Sequence, residues 1–213
     1  MINFDFAKKE MISNQLRKRG IADKRVLKAF QDVPRHLFVP EDNIEHSYDD
    51  SALPIGFNQT VSQPYITALM TQILRPLEDD IILEIGTGSG FQTALLSKLC
   101  KYVISLERIP ELVSFSRDNL KKLSIGNVQI FVADGTLGWK SEAPYDGIIV
   151  SAGAKEIPQS LMNQLKPGGR LIIPLEHEGY HKLFRIKKEE TGFIKEEILD
   201  CMFVPLIGRG YDE

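Results

Sequence analysis

Hydrophobic positions change their spacing partway along the chain. In the first eighty residues they recur at helical intervals. Val26, Leu27 and Phe30 share one face behind Asp23, a natural N-cap, and Gly20 and Pro34 bracket the segment. Ile66, Leu69, Met70, Ile73 and Leu74 repeat that spacing and predict an amphipathic helix opening at Pro64, where a first turn tolerates proline; Ser62 reads as its N-cap. Between them, residues 49–60 are too rich in turn formers for a helix and predict an ordered loop. From residue 80 short aliphatic runs take over, at 81–85, 102–106, 128–132, 147–150 and 171–174. They do not alternate with polar residues, which suits parallel strands covered on both faces. Helical stretches at 92–99, 111–123 and 158–165 fit right-handed crossovers between them, and residues 181–203 predict a hairpin turning at 187–192. The pattern therefore predicts an α/β doubly wound, mostly parallel sheet with an N-terminal helical extension and a C-terminal antiparallel hairpin.

Length and composition narrow the class. At 213 residues the chain has a prior of roughly 1.4 domains, which favours one domain over two. It divides into 1–79 (helices and loop), 80–175 (ligand-binding core) and 176–213 (hairpin). Lys and Arg total 26 against 29 Asp and Glu, a net charge of -3, so a nucleic-acid partner, which needs a basic surface, is not expected. The apolar runs are far shorter than a bilayer requires, no signal-like block opens the chain, and Cys100 and Cys201 stand apart without metal-ligand spacing. The expectation is a cytoplasmic monomer, with an oligomer left open, that has no metal site and no membrane contact.

Candidate chemistry gathers at the carboxyl ends of the expected strands. Gly86-Thr87-Gly88-Ser89-Gly90 links a strand to a helix, where backbone must pass close to a ligand; either turn geometry alone or ligand approach accounts for its glycines. Its spacing is not G-x-G-x-x-G, so an adenosyl group suits it better than a dinucleotide pyrophosphate, and a nicotinamide dehydrogenase is the poorer reading. Glu107, about twenty residues on, is placed as a ribose anchor or else as a surface charge beside Arg108. Asp134 before Gly135 is placed as acceptor for an adenine amino group or else as part of an Asp-Gly turn. Residues 151–154 offer a small-residue edge, and the Pro-Gly-Gly run at 167–169 reads as a structural turn. His36, His46, His177 and His181 are scattered and form no relay.

The chain resembles the protein-L-isoaspartate (D-aspartate) O-methyltransferase family. The resemblance rests on residues 53–56 and 59–65 (LPIG, QTVSQPY), with support from 33–40 (VPRHLFVP), 133–135, 138–139 and 203–206. It implies a Rossmann-like methyltransferase fold using S-adenosylmethionine, with S-adenosylhomocysteine as product. The implied reaction methylates the free α-carboxylate of L-isoaspartyl residues in damaged proteins and peptides, and the ester then closes to a succinimide. Carried over position by position, the family's active-site serine falls on Ser62. Gln59, Thr60, Val61 and Ser62 would contact cofactor together with Gly86, Thr87, Gly88, Ser89, Gly90, Glu107, Asp134 and Gly135. Ser62, Val204, Pro205 and Leu206 would meet the substrate, and Phe57-Asn58 departs from the family pattern, where a glycine commonly precedes the glutamine. The rival expectations are a methyltransferase of another acceptor and a non-catalytic sensor of adenosyl ligands.

Overall fold

The structure, a computed structural model, describes residues 3–210. Its N-terminal third is helical and irregular, as the pattern predicts. Helix α1 (Phe4–Glu10) runs on through a wider turn, Met11–Leu16, and a tighter one, Arg17–Arg19, and ends at Gly20 in the left-handed region. Helix α2 (Lys24–Asp32) is capped by Asp23, whose carboxylate accepts from the N–H of Arg25 at 2.8 Å.

The expected loop at 49–60 is in part a hairpin. Strand β1 (Leu53–Gly56) pairs antiparallel with β2 (Gln59–Val61) through a two-residue turn at Phe57 and Asn58, both at positive φ. Left-handed φ at both central positions is the turn geometry that matches strand twist. Helix α3 (Pro64–Leu74) starts where expected, but Ser62 is not its cap. A residue before proline is held extended, so Gln63 takes the cap position at ψ 138°, and its carbonyl receives both the N–H and the hydroxyl of Thr67.

The remainder is one seven-stranded sheet in the order β5-β4-β3-β6-β7-β8-β9. Strands β3 (Ile81–Ile85), β4 (Tyr102–Glu107), β5 (Val128–Val132), β6 (Tyr145–Val150) and β7 (Leu165–His177) are parallel, while β8 (Tyr180–Glu189) and β9 (Gly192–Cys201) form the antiparallel edge. Helices α4 (Phe91–Ser97), α5 (Pro110–Lys122) and α6 (Gln159–Asn163) make the crossovers. Ile82, Val103, Ile149 and Ile172 pack against α3 and α4; their neighbours Leu83, Ile104, Ile148 and Leu171 pack toward α6 on the other face. Burial on both faces is why these strands read as unbroken aliphatic runs.

Strand β7 starts six residues before the expected 171, because the Pro-Gly-Gly run is an insertion within it. Two steps along β6, Tyr145 to Gly147, match five along β7, Leu165 to Arg170, and Gly168 at φ 79° turns the chain inside that bulge. The last crossover helix accordingly ends at Asn163. No helix of the described residues is long and apolar enough to cross a membrane.

Candidate active site

The order of strands reverses between β4 and β6 on either side of β3, and at their carboxyl ends such a sheet opens a crevice. A cleft of about 840 Å³, its open mouth included, lies there. Its floor is the loop leaving β3. Gly86, Gly88 and Gly90 sit at φ 89°, 53° and 86°, conformations that cost side-chain-bearing residues energy, so the backbone and not side chains faces the cleft. Leu106 carbonyl holds the loop by accepting from the N–H of Gly86 at 2.8 Å.

Glu107 closes this arrangement. Its carboxylate accepts from the N–H of Gly88 and from that of Ile109, both at 3.0 Å, and it is 7% exposed at the cleft. A carboxylate has about four acceptor positions, so about two stay open to a ligand in the cleft. No ion pair with Arg108 forms; Arg108 lines the cleft separately.

Gln59, Thr60, Val61 and Ser62 form one wall, and Ile55 of the same hairpin packs against Gly88. Val204, Pro205 and Leu206 also line the cleft. They are strapped to the sheet by Gly153, whose N–H donates to Val204 carbonyl at 2.8 Å and whose carbonyl accepts from the N–H of Leu206 at 2.7 Å. A Cβ on Gly153 would overlap the His181 ring, and the N–H of Phe203 reaches His181 Nδ1 at 3.4 Å. His181 thus supports the strap.

Gly86, Thr87, Gly88, Ser89 and Gly135 line the cleft as expected. Gly90 does not: it caps α4 and backs onto Ser116. Asp134 lies outside the lining, in an adjoining groove that shares Arg108, Ala133 and Ile207 with the cleft. Its Oδ1 accepts from the N–H and hydroxyl of Thr136, and its Oδ2 from the N–H of Arg209. These bonds hold its carboxyl below the usual carboxylate range, against the opposing effect of burial. The turn reading therefore accounts for its bonds.

Several residues of the site escaped the sequence reading. Thr67, Met70, Phe91 and Gln92 line the cleft, and Gln92 Nε2 donates to Thr71 Oγ1 at 2.9 Å. A glutamine in the first turn of the helix that follows the glycine loop was the available signal. Ile207, to which the sequence reading assigned no role, also lines the cleft. Behind Phe91, the fully buried Arg35 holds its guanidinium 4.9 Å from the ring centre, and burial pushes its pKa down to about 9.

A second cavity opens beyond the first, between Tyr65, Tyr180 and the segment after β9. Thr60, Ser62, Ser151 and Val204 line both, so Ser62 stands in the shared wall. None of the four histidines lines either cavity. Among the described residues no three His, Cys, Asp or Glu side chains converge as a metal would require.

Comparison with known proteins agrees with this geometry. The family model described as protein-L-isoaspartate(D-aspartate) O-methyltransferase matches residues 7–210. A protein-L-isoaspartate O-methyltransferase of Trichlorobacter lovleyi is 50% identical over 98% of this chain and 97% of its own, and one of Petrotoga mobilis 48% identical over 98% and 99%. Among solved structures, a protein-L-isoaspartate O-methyltransferase superposes with TM-score 0.86 at 28% identity, covering 94% of this chain and 66% of the other. A Plasmodium falciparum protein described as the same enzyme, in complex with S-adenosyl-L-homocysteine, gives 0.82 at 29% over 97% and 99%. The chain belongs to the protein-L-isoaspartate (D-aspartate) O-methyltransferase family.

Proposed function

We propose that Ser62 aligns the acceptor carboxylate where the two cavities meet, the first holding S-adenosylmethionine and the second the damaged peptide. The enzyme transfers a methyl group to the free α-carboxylate of L-isoaspartyl residues in damaged proteins and peptides, initiating their repair through a succinimide. The residues present fit the cofactor. Glu107 keeps open acceptor positions, the glycine loop brings backbone to the cleft, and the Gln59–Val61 strand covers the opposite side. Asp134 and Gly135 stand at its adenine end; Asp134 Oδ2 there serves one donor, the N–H of Arg209.

When bound, the cofactor supplies a methyl group activated by a positively charged sulfur. The acceptor, a carboxylate with a reference pKa of roughly 3.5, is ionised at neutral pH and needs no base to become a nucleophile. That is consistent with cavity walls free of histidine. Catalysis then rests on holding the reacting groups in line, an effect worth up to ~7–11 kcal/mol in well-oriented systems. The Ser62 hydroxyl would donate to one carboxylate oxygen and leave the other aimed at the methyl group. Val204, Pro205 and Leu206 would hold the substrate backbone, which suits a lesion found in many sequence contexts.

The observation that carries this reading is the position of Ser62 in the wall common to both cavities. Replacing it, Ser62→Ala, should lower kcat/KM by about 10- to 100-fold, as loss of a hydrogen bond to a charged group does, while cofactor affinity changes little. Unchanged turnover in that variant would remove Ser62 from the mechanism. We further assign the protein to the cytoplasm as a single-domain monomer, independent of nucleic acid and membranes. Two buried unpaired thiols and a net charge of -3 support that assignment.

A further inference from the structure

A chain of buried hydroxyls runs from the core of the sheet to the cofactor cleft. Glu84, on β3 and fully buried, accepts at Oε2 from Thr93 Oγ1 (2.5 Å) and from Ser105 Oγ (2.6 Å). Ser105 Oγ in turn lies 2.5 Å from Thr87 Oγ1, and Thr87 lines the cleft. Glu84 Oε1 has no partner.

Each hydroxyl has one proton, which fixes the direction of these bonds. With Glu84 ionised, the Ser105 proton is committed to Oε2, so the Thr87 proton must go to Ser105. Thr87 Oγ1 is then left with lone pairs alone for the cleft. An oxygen that can only accept, with the Glu84 and Glu107 carboxylates behind it, suits a cationic donor. Of the two cations on S-adenosylmethionine, the sulfonium cannot donate a hydrogen bond and the α-ammonium can.

We propose that Thr87 Oγ1 accepts the α-ammonium group of the cofactor, and that Glu84, acting through Ser105, is the positioning residue that keeps those lone pairs facing the cleft. The proposal rests on the S-adenosylmethionine reading given above. Protonation of Glu84 reverses the chain. A proton on Oε1 would be a buried donor without an acceptor, so it resides on Oε2, which then donates a hydrogen bond to Ser105 Oγ. The Ser105 proton turns to Thr87, and the Thr87 proton turns into the cleft, toward a cation.

Burial pushes the Glu84 pKa up to about 7, with the Ser105 and Thr93 bonds opposing and Glu107 adding to the rise. The reversal thus falls near neutral pH. The titratable groups acting on Glu84 from the elements around it are few among the described residues. They are the Glu107 carboxylate at the end of β4 and the Cys100 thiol after α4, itself pushed up to about 12 by burial and therefore neutral. Its β6 register partner Ile149 and the α3 residues Met70 and Leu74 on that face are apolar.

The test is calorimetric binding of S-adenosylhomocysteine and of its deaminated analogue to the full-length protein between pH 5.5 and 7.5, where the ligand amine stays protonated. The amine ligand should bind about tenfold more tightly or better at the upper end, the change expected for a charge-assisted hydrogen bond. The deaminated ligand should bind equally across the range. Glu84→Gln should hold the amine ligand at the weak, low-pH level throughout, because its NH₂ group, placed at the Oε2 position, donates to both hydroxyls. Thr87→Val should weaken the amine ligand alone, and Thr87→Ser should restore it. A flat pH series for both ligands in the unmodified protein, or equal losses for both ligands in Thr87→Val, would overturn the proposal. Failure of the unmodified protein to bind either ligand at any pH would instead overturn the cofactor reading beneath it.

Discussion

Residues with the most constrained bonding say most about this site. Glu84 is an acid in an apolar core, and its stability effect has a definite sign. Its pKa is raised on folding to about 7. The stability it contributes is therefore fully present below its unfolded value near 4.3 and is lost as pH rises through about 7. Glu84→Gln removes that dependence, so the melting temperature of the variant relative to the parent should climb between pH 4.5 and 7.5 and then level off. A difference that stays constant with pH would mean that Glu84 is not buried as described. Residue roles were unevenly readable from sequence. The place of Glu107 at the cleft was legible because its spacing from the glycines is fixed by a β-α-β unit. The bonding of Asp134 was less legible, because the N–H of Arg209, which donates to its carboxylate, is 75 residues away. Ser62 lost its capping role to Gln63 through the restriction proline places on the residue before it.

At the level of elements, strands were readable wherever burial on both faces produced an aliphatic run, and four of the five parallel strands lie within two residues of their expected starts. The β1–β2 hairpin was not readable, because β1 contains a proline and Phe57-Asn58 is not a recognised two-residue turn pair. A phenylalanine at φ 54° and 54% exposed gives the turn little burial in return for its strain. Phe57→Asn should therefore stabilise the protein by about 0.5–1 kcal/mol in denaturant unfolding, in line with relief of a left-handed bulky residue. A loss of stability would show that the ring packs against something the hairpin needs. The strap carries an opposite expectation. Gly153→Ala drives a methyl group into His181 and displaces residues 203–206, so KM for peptide should rise severalfold while S-adenosylhomocysteine affinity, set mainly by the glycine loop, changes less.

For the molecule as a whole, the sheet places two cavities on either side of one wall. The first cavity belongs to the parallel half and its switch point; the second is built by α3 and the antiparallel edge that follows β7. Sequence patterns marked the first, since glycines and a carboxylate carry a local signature. The second draws on Arg19, Tyr65, Tyr180 and residues 199–204, brought together only by folding, and no local pattern announces it. The reaction proposed for this pair of cavities is methylation of an isoaspartyl carboxylate. Its most direct test is transfer of labelled methyl from S-adenosylmethionine to two peptides that differ only in one isoaspartyl against one aspartyl linkage, with base-labile label counted. Label on the isoaspartyl peptide alone is the predicted result; equal label on both peptides, or label on neither despite bound cofactor, would contradict it.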